Sequence, residues 1–296
     1  MLRLGVIGLS PGNGHPYSWS AIFNGYEPEA MEGCGFPVIP RYLEKESWPA
    51  AQIAQARVTH VWTQDAECAA HIASACRIGK VIADPFEMIG EVDGVLLARD
   101  DAETHLHFAR PFLEAGLPVY IDKPMALSLA EAEQMFMLGA RPGQLFTCSA
   151  LRYAKELQLS DVDRDHIGVI RRIEATTPKS WNTYAVHIVE PVCMMLDRGD
   201  RIERNQLKCS GDVTRLSLYW ASGIETVLNA MGDAPVPITF HLSGDRGELE
   251  LQFKDTFSAF KQALLQFVRG IIDGCDQIER SDTLDVMRII ELGRKI

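Results

Sequence analysis

The N-terminal segment constrains the fold of this chain more than any other segment. Residues 2–9 form a nearly continuous apolar run, LRLGVIGL, which leads into a turn rich in Gly, Pro and Asn. Such a run is typical of a parallel strand that is buried on both faces. Three further runs, at 58–63, 94–98 and 118–121, alternate with helical patterns. This alternation predicts strand–helix–strand units in a parallel sheet.

The pattern changes after residue 144. Segments rich in Thr, Val and aromatic residues follow, such as GVIRRIEATT at 168–177 and DVTRLSLYWA at 212–221. They predict an antiparallel sheet with one solvent-exposed face. With 296 residues, the chain is long enough for two domains, each with its own core.

We therefore predict an α/β domain over residues 1–124, followed by an α+β domain over residues 125–296 that is built on an open, predominantly antiparallel sheet. The first domain should be of the Rossmann type, with a dinucleotide at the carboxyl ends of its strands. A simple strand–helix–strand unit needs only about 30 residues. The segment at about 10–57 is longer than this and indicates an insertion.

Charge and cysteine content exclude several classes of partner. Lys and Arg total 29 and Asp and Glu 40, so the net charge is 29 − 40 = −11. This acidity argues against nucleic acid, and no apolar stretch approaches the roughly 18 residues of a membrane span. The seven cysteines contain no CxxC pair, which predicts neither a disulfide framework nor a metal site. We expect a cytoplasmic protein with no metal, nucleic-acid or membrane partner.

The turn after the first strand is a candidate pyrophosphate site. Glycine lets the backbone approach a phosphate, and the next helix can present free N–H groups. The turn is not a regular GxGxxG motif, and a plain glycine-rich loop is the alternative. The candidate cofactor residues in this turn are Gly8, Ser10, Gly12, Asn13 and Gly14.

The second strand ends in VTHVWTQD, where an acid commonly binds the adenosine ribose. Thr63 occupies the expected acid position, and Asp65 is either a second candidate or, as we favour, the cap of the next helix. A neutral Thr63 would not repel a 2′-phosphate. Both NAD and NADP therefore remain candidate cofactors, with NAD slightly favoured because no Arg lies nearby in the sequence.

The segment Tyr120-Ile121-Asp122-Lys123-Pro124 is the most specific signal in the chain. A lysine at the carboxyl end of a parallel strand lies where ligands of such sheets bind. The segment resembles the hallmark Glu-Lys-Pro motif of the Gfo/Idh/MocA family, which often has Asp in the first place. The resemblance implies that Lys123 contacts both substrate and cofactor, with Asp122 and Ala98 on the cofactor side.

The downstream segment 181–196, WNTYAVHIVEPVCMML, resembles the substrate-domain helix of the same family. The resemblance implies that His187 is the general base, a role that suits a group with a pKa near neutrality. Thr183 stands where the family commonly has an acid. Glu190, one helical turn after His187, is expected to orient the imidazole, and Tyr184 is a further candidate catalytic residue.

Four more residues are candidates for the substrate site. His15 and Trp19 follow the glycine turn and are either substrate contacts or packing residues of the insertion. Arg152 and Tyr153 match weak family positions. His105 and His107 are either near the nicotinamide or solvated on a helix.

The resemblance covers nearly the whole chain and implies an NAD(P)-dependent oxidoreductase of sugar metabolism. It would transfer a hydride between nicotinamide and a CH–OH carbon of a sugar-like or polyol substrate. It also implies a homodimer or homotetramer assembled through the second sheet. The alternatives are an NAD-assisted lyase or glycosidase of the same fold, and a non-catalytic nucleotide- or sugar-binding protein.

Overall fold

A six-stranded parallel sheet organises the first part of the chain. The computed structural model describes residues 1–294. The strands are β1 (Leu2–Ile7), β2 (Ala56–Trp62), β3 (Lys80–Val81), β4 (Gly94–Leu97), β5 (Val119–Ile121) and β6 (Leu145–Phe146). They are ordered β3-β2-β1-β4-β5-β6 and pair in parallel throughout. The strand order reverses between β1 and β4, which is where ligands bind in open sheets of this kind.

Helices connect these strands, and the helix after β1 is almost wholly buried. The helices are α1 (His15–Asn24), α2 (Pro28–Glu32), α3 (Val38–Leu43), α4 (Ala66–Ala75), α5 (His105–Glu114) and α6 (Leu129–Leu138). The predicted insertion thus consists of α1, the crossover helix itself, and two short extra helices before β2. Gly25, at φ +72°, ends α1 in a conformation that favours glycine.

A second six-stranded sheet organises the rest of the chain. Its strands are β7 (Ile170–Thr177), β8 (Ile202–Ser210), β9 (Val213–Trp220), β10 (Glu225–Ala230), β11 (Thr239–Gly244) and β12 (Glu248–Gln252). The order is β12-β11-β7-β10-β9-β8, antiparallel except for the parallel pair β7 and β10. Strand β9 alternates strictly between buried and half-buried residues, the pattern of a sheet with one core face. The predicted open, mainly antiparallel sheet is confirmed.

The remaining helices are α7 (Asp161–Ile167), α8 (Trp181–Tyr184), α9 (Val186–Met195), α10 (Thr256–Asp273) and α11 (Arg280–Leu292). None of the helices within residues 1–294 combines the length and the hydropathy needed to cross a bilayer.

The chain divides into two compact units, and the division is not a single cut after residue 124 as the sequence suggested. The first unit comprises residues 1–126, 130–147 and 260–279, and the second comprises the rest. The reason is that the parallel sheet continues beyond Lys123, since β6 pairs with β5. Most of α10 also belongs to the first unit, although it follows the second sheet in sequence.

Candidate active site

The glycine turn packs tightly against the start of α1. A Cβ atom on Gly8 would clash with the ring of Pro16, and one on Gly14 would lie 2.6 Å from Ile39 Cδ1. Gly12 adopts φ +79°, where an L side chain is strained. Glycine is therefore required at these three positions for the turn to keep its shape.

Two backbone N–H groups of this turn are suited to bind a phosphate. The N–H of His15 donates to Asn13 Oδ1 at 2.8 Å, and the N–H of Leu9 donates to Gln64 Oε1 at 3.1 Å. Within residues 1–294, the N–H groups of Gly12 and Gly14 have no partner, although Gly14 is buried. Unpaired N–H groups at a helix start are the donors that bind a pyrophosphate. The turn therefore fits a dinucleotide through Gly12 and Gly14.

The end of β2 does not present an acid to a ribose. Asp65 caps α4, as we favoured from the sequence, and accepts from the N–H groups of Glu67 and Cys68 at 2.9 and 3.4 Å. The Thr63 hydroxyl donates to the carbonyl of Asp65. Both side chains are therefore bonded to backbone groups, and these contacts do not direct either of them toward a cofactor.

An arginine that the sequence analysis missed lies next to the end of β2. Arg99 Nη1 donates to Gln64 Oε1 at 3.0 Å, and its other nitrogens pair with Asp101 at 2.5 to 2.9 Å. The absence of a nearby Arg was inferred from the neighbours of Thr63 in sequence, whereas Arg99 arrives from the loop after β4. Because Asp101 already neutralises Arg99, this arginine alone does not select NADP.

Lys123 and Asp122 leave the end of β5 and contact different groups. The Lys123 side chain is buried, and its Nζ lies 3.6 Å from Asp100 Oδ2. Asp100 also accepts from the hydroxyl of Ser10 at 2.6 Å, so Ser10 contacts a carboxylate where a regular motif has glycine. The strand thus delivers a buried ammonium with a carboxylate partner to the edge of the sheet where a ligand binds.

Asp122 is almost fully buried and accepts from Asn13 Nδ2 at 2.8 Å. The same oxygen lies 2.5 Å from His15 Nδ1, and Oδ1 accepts from the N–H of Lys123 at 2.8 Å. Burial by itself would raise the pKa of Asp122, but the charges of His15 and Lys123 and the two hydrogen bonds outweigh it and lower the pKa to about 2. Asp122 is therefore a carboxylate at neutral pH.

The aromatic rings after the glycine turn form one stack in the first unit. The His15 ring stacks on Trp19 at 4.9 Å between centroids, and Trp19 stacks on Tyr120 at 4.6 Å. Phe260 meets the His15 ring edge-on at 5.0 Å. Of the two sequence interpretations, Trp19 is a packing residue, because its side chain is fully buried. His15 retains some exposure and remains a candidate for ligand contact.

His187 lies near the start of α9, in the second unit, and is mostly buried. Its Nδ1 is 2.8 Å from the hydroxyl of Ser149, a residue that the sequence analysis did not identify. The Tyr184 ring contacts the imidazole edge-on at 4.9 Å between centroids, and Thr183 pairs with the hydroxyl of Ser180. The imidazole is thus bonded to a hydroxyl, while Thr183, at the family's acid position, contacts Ser180.

Glu190 reaches the neighbourhood of His187 through Ser149. Its Oε2 accepts from the N–H of Ser149 at 2.6 Å, and its Oε1 accepts from Arg152 at 3.1 Å. Arg152 also donates to Asp282 at 3.1 Å. Burial raises the pKa of Glu190, and the charge of Arg152 opposes that rise. These contacts give Glu190 the role of fixing Ser149, and Ser149 in turn contacts the imidazole.

The same arginine borders a cavity of about 590 Å³ in the second unit. Its apolar wall includes Trp220 and Ile289, and Asp282 and Arg198 lie at its polar side. Tyr153, beside Arg152, is half-buried, and burial raises the pKa of its hydroxyl. Arg152 therefore connects this cavity to Glu190 and the His187 neighbourhood.

Of the two other histidine candidates, both on α5, His107 is exposed, as the solvated interpretation expects, whereas His105 is not. His105 is fully buried, and its two ring nitrogens lie 3.0 Å and 2.8 Å from the carbonyl oxygens of Met125 and Arg99. It is a structural residue that joins two loops. His107 packs edge-on against Phe108 at 5.1 Å between centroids. Ala98 is buried at the end of β4, and within residues 1–294 no cluster of His, Cys, Asp or Glu has the arrangement of a metal site.

Comparison with known proteins finds a family match within the first part of the chain. Residues 33–149 match the model of the Gfo/Idh/MocA family, described as an oxidoreductase family with an NAD-binding Rossmann fold. Inositol 2-dehydrogenase 2 of Saccharopolyspora erythraea is 40% identical over 98 residues, which are 30% of this chain and 28% of that protein. The sequence match thus spans little more than a quarter of the relative's length.

Solved structures match over the whole fold. The myo-inositol 2-dehydrogenase of Lactobacillus plantarum superposes with a TM-score of 0.74 at 14% identity, covering 98% of this chain and 95% of that one. A biliverdin reductase from Synechocystis, solved with biliverdin and NADP⁺, gives 0.69 at 15% identity, covering 98% and 97%. At these identities the similarity establishes the fold alone. Residues 33–149 of this chain are therefore similar to the Gfo/Idh/MocA family of oxidoreductases with an NAD-binding Rossmann fold.

Proposed function

We propose that this chain is an NAD(P)-dependent dehydrogenase that oxidises a CH–OH carbon of a sugar-like or polyol substrate. The observation that carries the proposal is the buried Lys123 at the carboxyl end of β5, paired with Asp100. A buried ammonium in this position is a charge-stabilising group at the ligand edge of a dinucleotide-binding sheet. The polyol substrate is supported by the inositol dehydrogenase among the relatives.

The roles of the residues follow from their chemistry. A bound nicotinamide would supply the hydride acceptor, and Gly12 and Gly14 would hold its pyrophosphate. Lys123 would donate to the reacting oxygen and stabilise the negative charge that develops there. His187 is proposed, from the sequence resemblance, as a proton acceptor for the hydroxyl, with Tyr184 and Glu190 supporting it.

Two further properties belong to the same proposal. All seven cysteines are free, which is typical of a protein in a reducing compartment and supports a cytoplasmic location. A homodimer or homotetramer that assembles through the second sheet is proposed from the family resemblance.

The proposed activity is tested by absorbance at 340 nm. We expect the purified chain to reduce NAD⁺ or NADP⁺ in the presence of at least one cyclic polyol or aldose, with one coenzyme reduced per substrate oxidised. Product formation without net coenzyme reduction would contradict the dehydrogenase and favour an NAD-assisted lyase or glycosidase. Nucleotide binding without turnover of any polyol, sugar or sugar derivative would favour a binding protein.

A further inference from the structure

The first unit contains a carboxylate–imidazole pair that the reaction proposed above does not use. The Asp122 side chain is 1% exposed and the His15 side chain 15%, and Asp122 Oδ2 lies 2.5 Å from His15 Nδ1. Asn13 Nδ2 donates to the same carboxylate oxygen at 2.8 Å. The other oxygen, Oδ1, accepts from the N–H of Lys123 at 2.8 Å, so both oxygens of the carboxylate are fixed.

Packing holds the His15 ring in this orientation. Trp19 stacks on one face with an interplanar angle of 13°, and Phe260 meets the ring edge-on. Within residues 1–294, no hydrogen-bond partner of Nε2 is found. The imidazole thus directs Nδ1 to Asp122 and leaves Nε2 available for a ligand. The His15 side chain also retains some exposure.

His187 has a hydroxyl contact at its Nδ1. Its Nδ1 partner is the hydroxyl of Ser149, at 2.8 Å. A hydroxyl both donates and accepts, so it neither fixes the imidazole tautomer nor stabilises a positive charge as a carboxylate does. The carboxylate partner gives His15 the geometry that general base catalysis uses.

A second ion pair lies next to Asp122 in the chain. Lys123 is the next residue to Asp122 and pairs with Asp100 at 3.6 Å. Trp19 and Phe260, which pack against the His15 ring, carry no charge.

We propose that His15, oriented by Asp122, accepts the hydroxyl proton in the proposed oxidation. The substrate O–H bond breaks, its electron pair becomes the second bond of the carbonyl, and the proton moves to His15 Nε2. The hydrogen on the same carbon leaves with its electron pair for the nicotinamide. This inference rests on the proposed dehydrogenase function and assigns to His15 the proton transfer that the sequence resemblance gives to His187.

The test compares the pH profiles of kcat/KM for three Asn variants, His15→Asn, His187→Asn and His107→Asn. His107 is the matched control because it is an exposed histidine on α5 whose ring contacts are Phe86 and Phe108. We expect His15→Asn to lower kcat/KM about 100-fold, within the range for a lost general base, and to abolish the fall in activity at low pH. His187→Asn should keep that fall, and His107→Asn should match the wild type.

Asp122→Asn provides an independent variant with the imidazole still present. Without the carboxylate, the imidazole loses the partner that orients it at Nδ1, so kcat should fall. Nitrogen-15 NMR of wild-type His15 gives a readout besides activity: neutral His15 should be protonated at Nδ1 and bare at Nε2. Calorimetry should show that His15→Asn binds the coenzyme within a few-fold of wild type.

Two results would overturn the inference while leaving the proposed function standing. One is a His15→Asn enzyme within threefold of wild type, or one in which only His187→Asn removes the low-pH limb. The other is an NMR signature of an Nε2-protonated neutral His15, a measurement that needs no folded variant. Failure of the wild type to bind any nicotinamide coenzyme would instead contradict the proposed function and this inference together.

Discussion

Lys123→Met is expected to lower kcat of the proposed dehydrogenase by about 10²- to 10³-fold, with little change in coenzyme affinity. The loss of one positioned donor to a developing oxyanion typically costs this much. Methionine has a similar length and no charge, so the change removes the donor without opening a large cavity. Steady-state kinetics with the best polyol substrate measures kcat, and a coenzyme titration measures the coenzyme affinity.

The matched control is Lys80→Met on β3, whose exposed ammonium pairs with Glu91 at 3.8 Å. It should leave kcat within about twofold, because exposed ion pairs contribute little. If Lys123→Met retains wild-type kcat and melts at the wild-type temperature, Lys123 is not the charge-stabilising residue. In that case its buried pair with Asp100 has a structural role only.

Arg152→Ala is expected to have the largest effect on stability, about 3–5 kcal/mol lost from the free energy of unfolding. Arg152 is buried and bonds to both Glu190 and Asp282. Removing it leaves the Glu190 carboxylate buried without its cationic partner, which is costly. Urea denaturation followed by circular dichroism measures the loss, and the proposed activity should fall because Glu190 fixes Ser149 next to His187.

Arg198→Ala is the control for that prediction, because Arg198 bonds to the same Asp282 oxygen but its side chain is 73% exposed. It should cost less than about 1 kcal/mol. The double variant Arg152→Met with Glu190→Gln removes both charges together and should be more stable than Arg152→Ala alone. Equal losses of unfolding free energy for Arg152→Ala and Arg198→Ala would contradict this prediction. They would show that the burial of Arg152 with Glu190 and Asp282 contributes nothing to stability.

Local patterns were sufficient to predict much of this fold. The apolar runs at 2–9, 94–98 and 118–121 contain strands β1, β4 and β5, and the run at 58–63 overlaps most of β2, because strands buried on both faces are continuously apolar. Asp65 was predicted as a cap for the same kind of reason, since a short acid before a helical pattern binds free N–H groups. The change after residue 144 to segments rich in Thr, Val and aromatic residues likewise predicted the second sheet.

The contacts around the candidate residues could not be predicted in this way. Ser149 contacts His187, which lies 38 positions away in the sequence, and Arg99 contacts Gln64, which lies 35 positions away. Phe260 reaches His15 only because α10 returns to the first unit after the second sheet. Serine, arginine and phenylalanine occur throughout the chain, and nothing in their immediate neighbours distinguishes these copies. Only the fold brings them to the candidate groups.

The most direct test of the account is a calorimetric titration of the full chain with NAD⁺, NADH, NADP⁺ and NADPH, after removal of any coenzyme that co-purifies. The account predicts saturable binding of at least one of these coenzymes at one site per chain. It also predicts stabilisation against heat, by about 2.7 kcal/mol at a ligand concentration 100 times Kd. A folded chain that shows neither heat of binding nor a shift in Tm with any of the four would contradict dinucleotide binding at the glycine turn, and with it the proposed dehydrogenase.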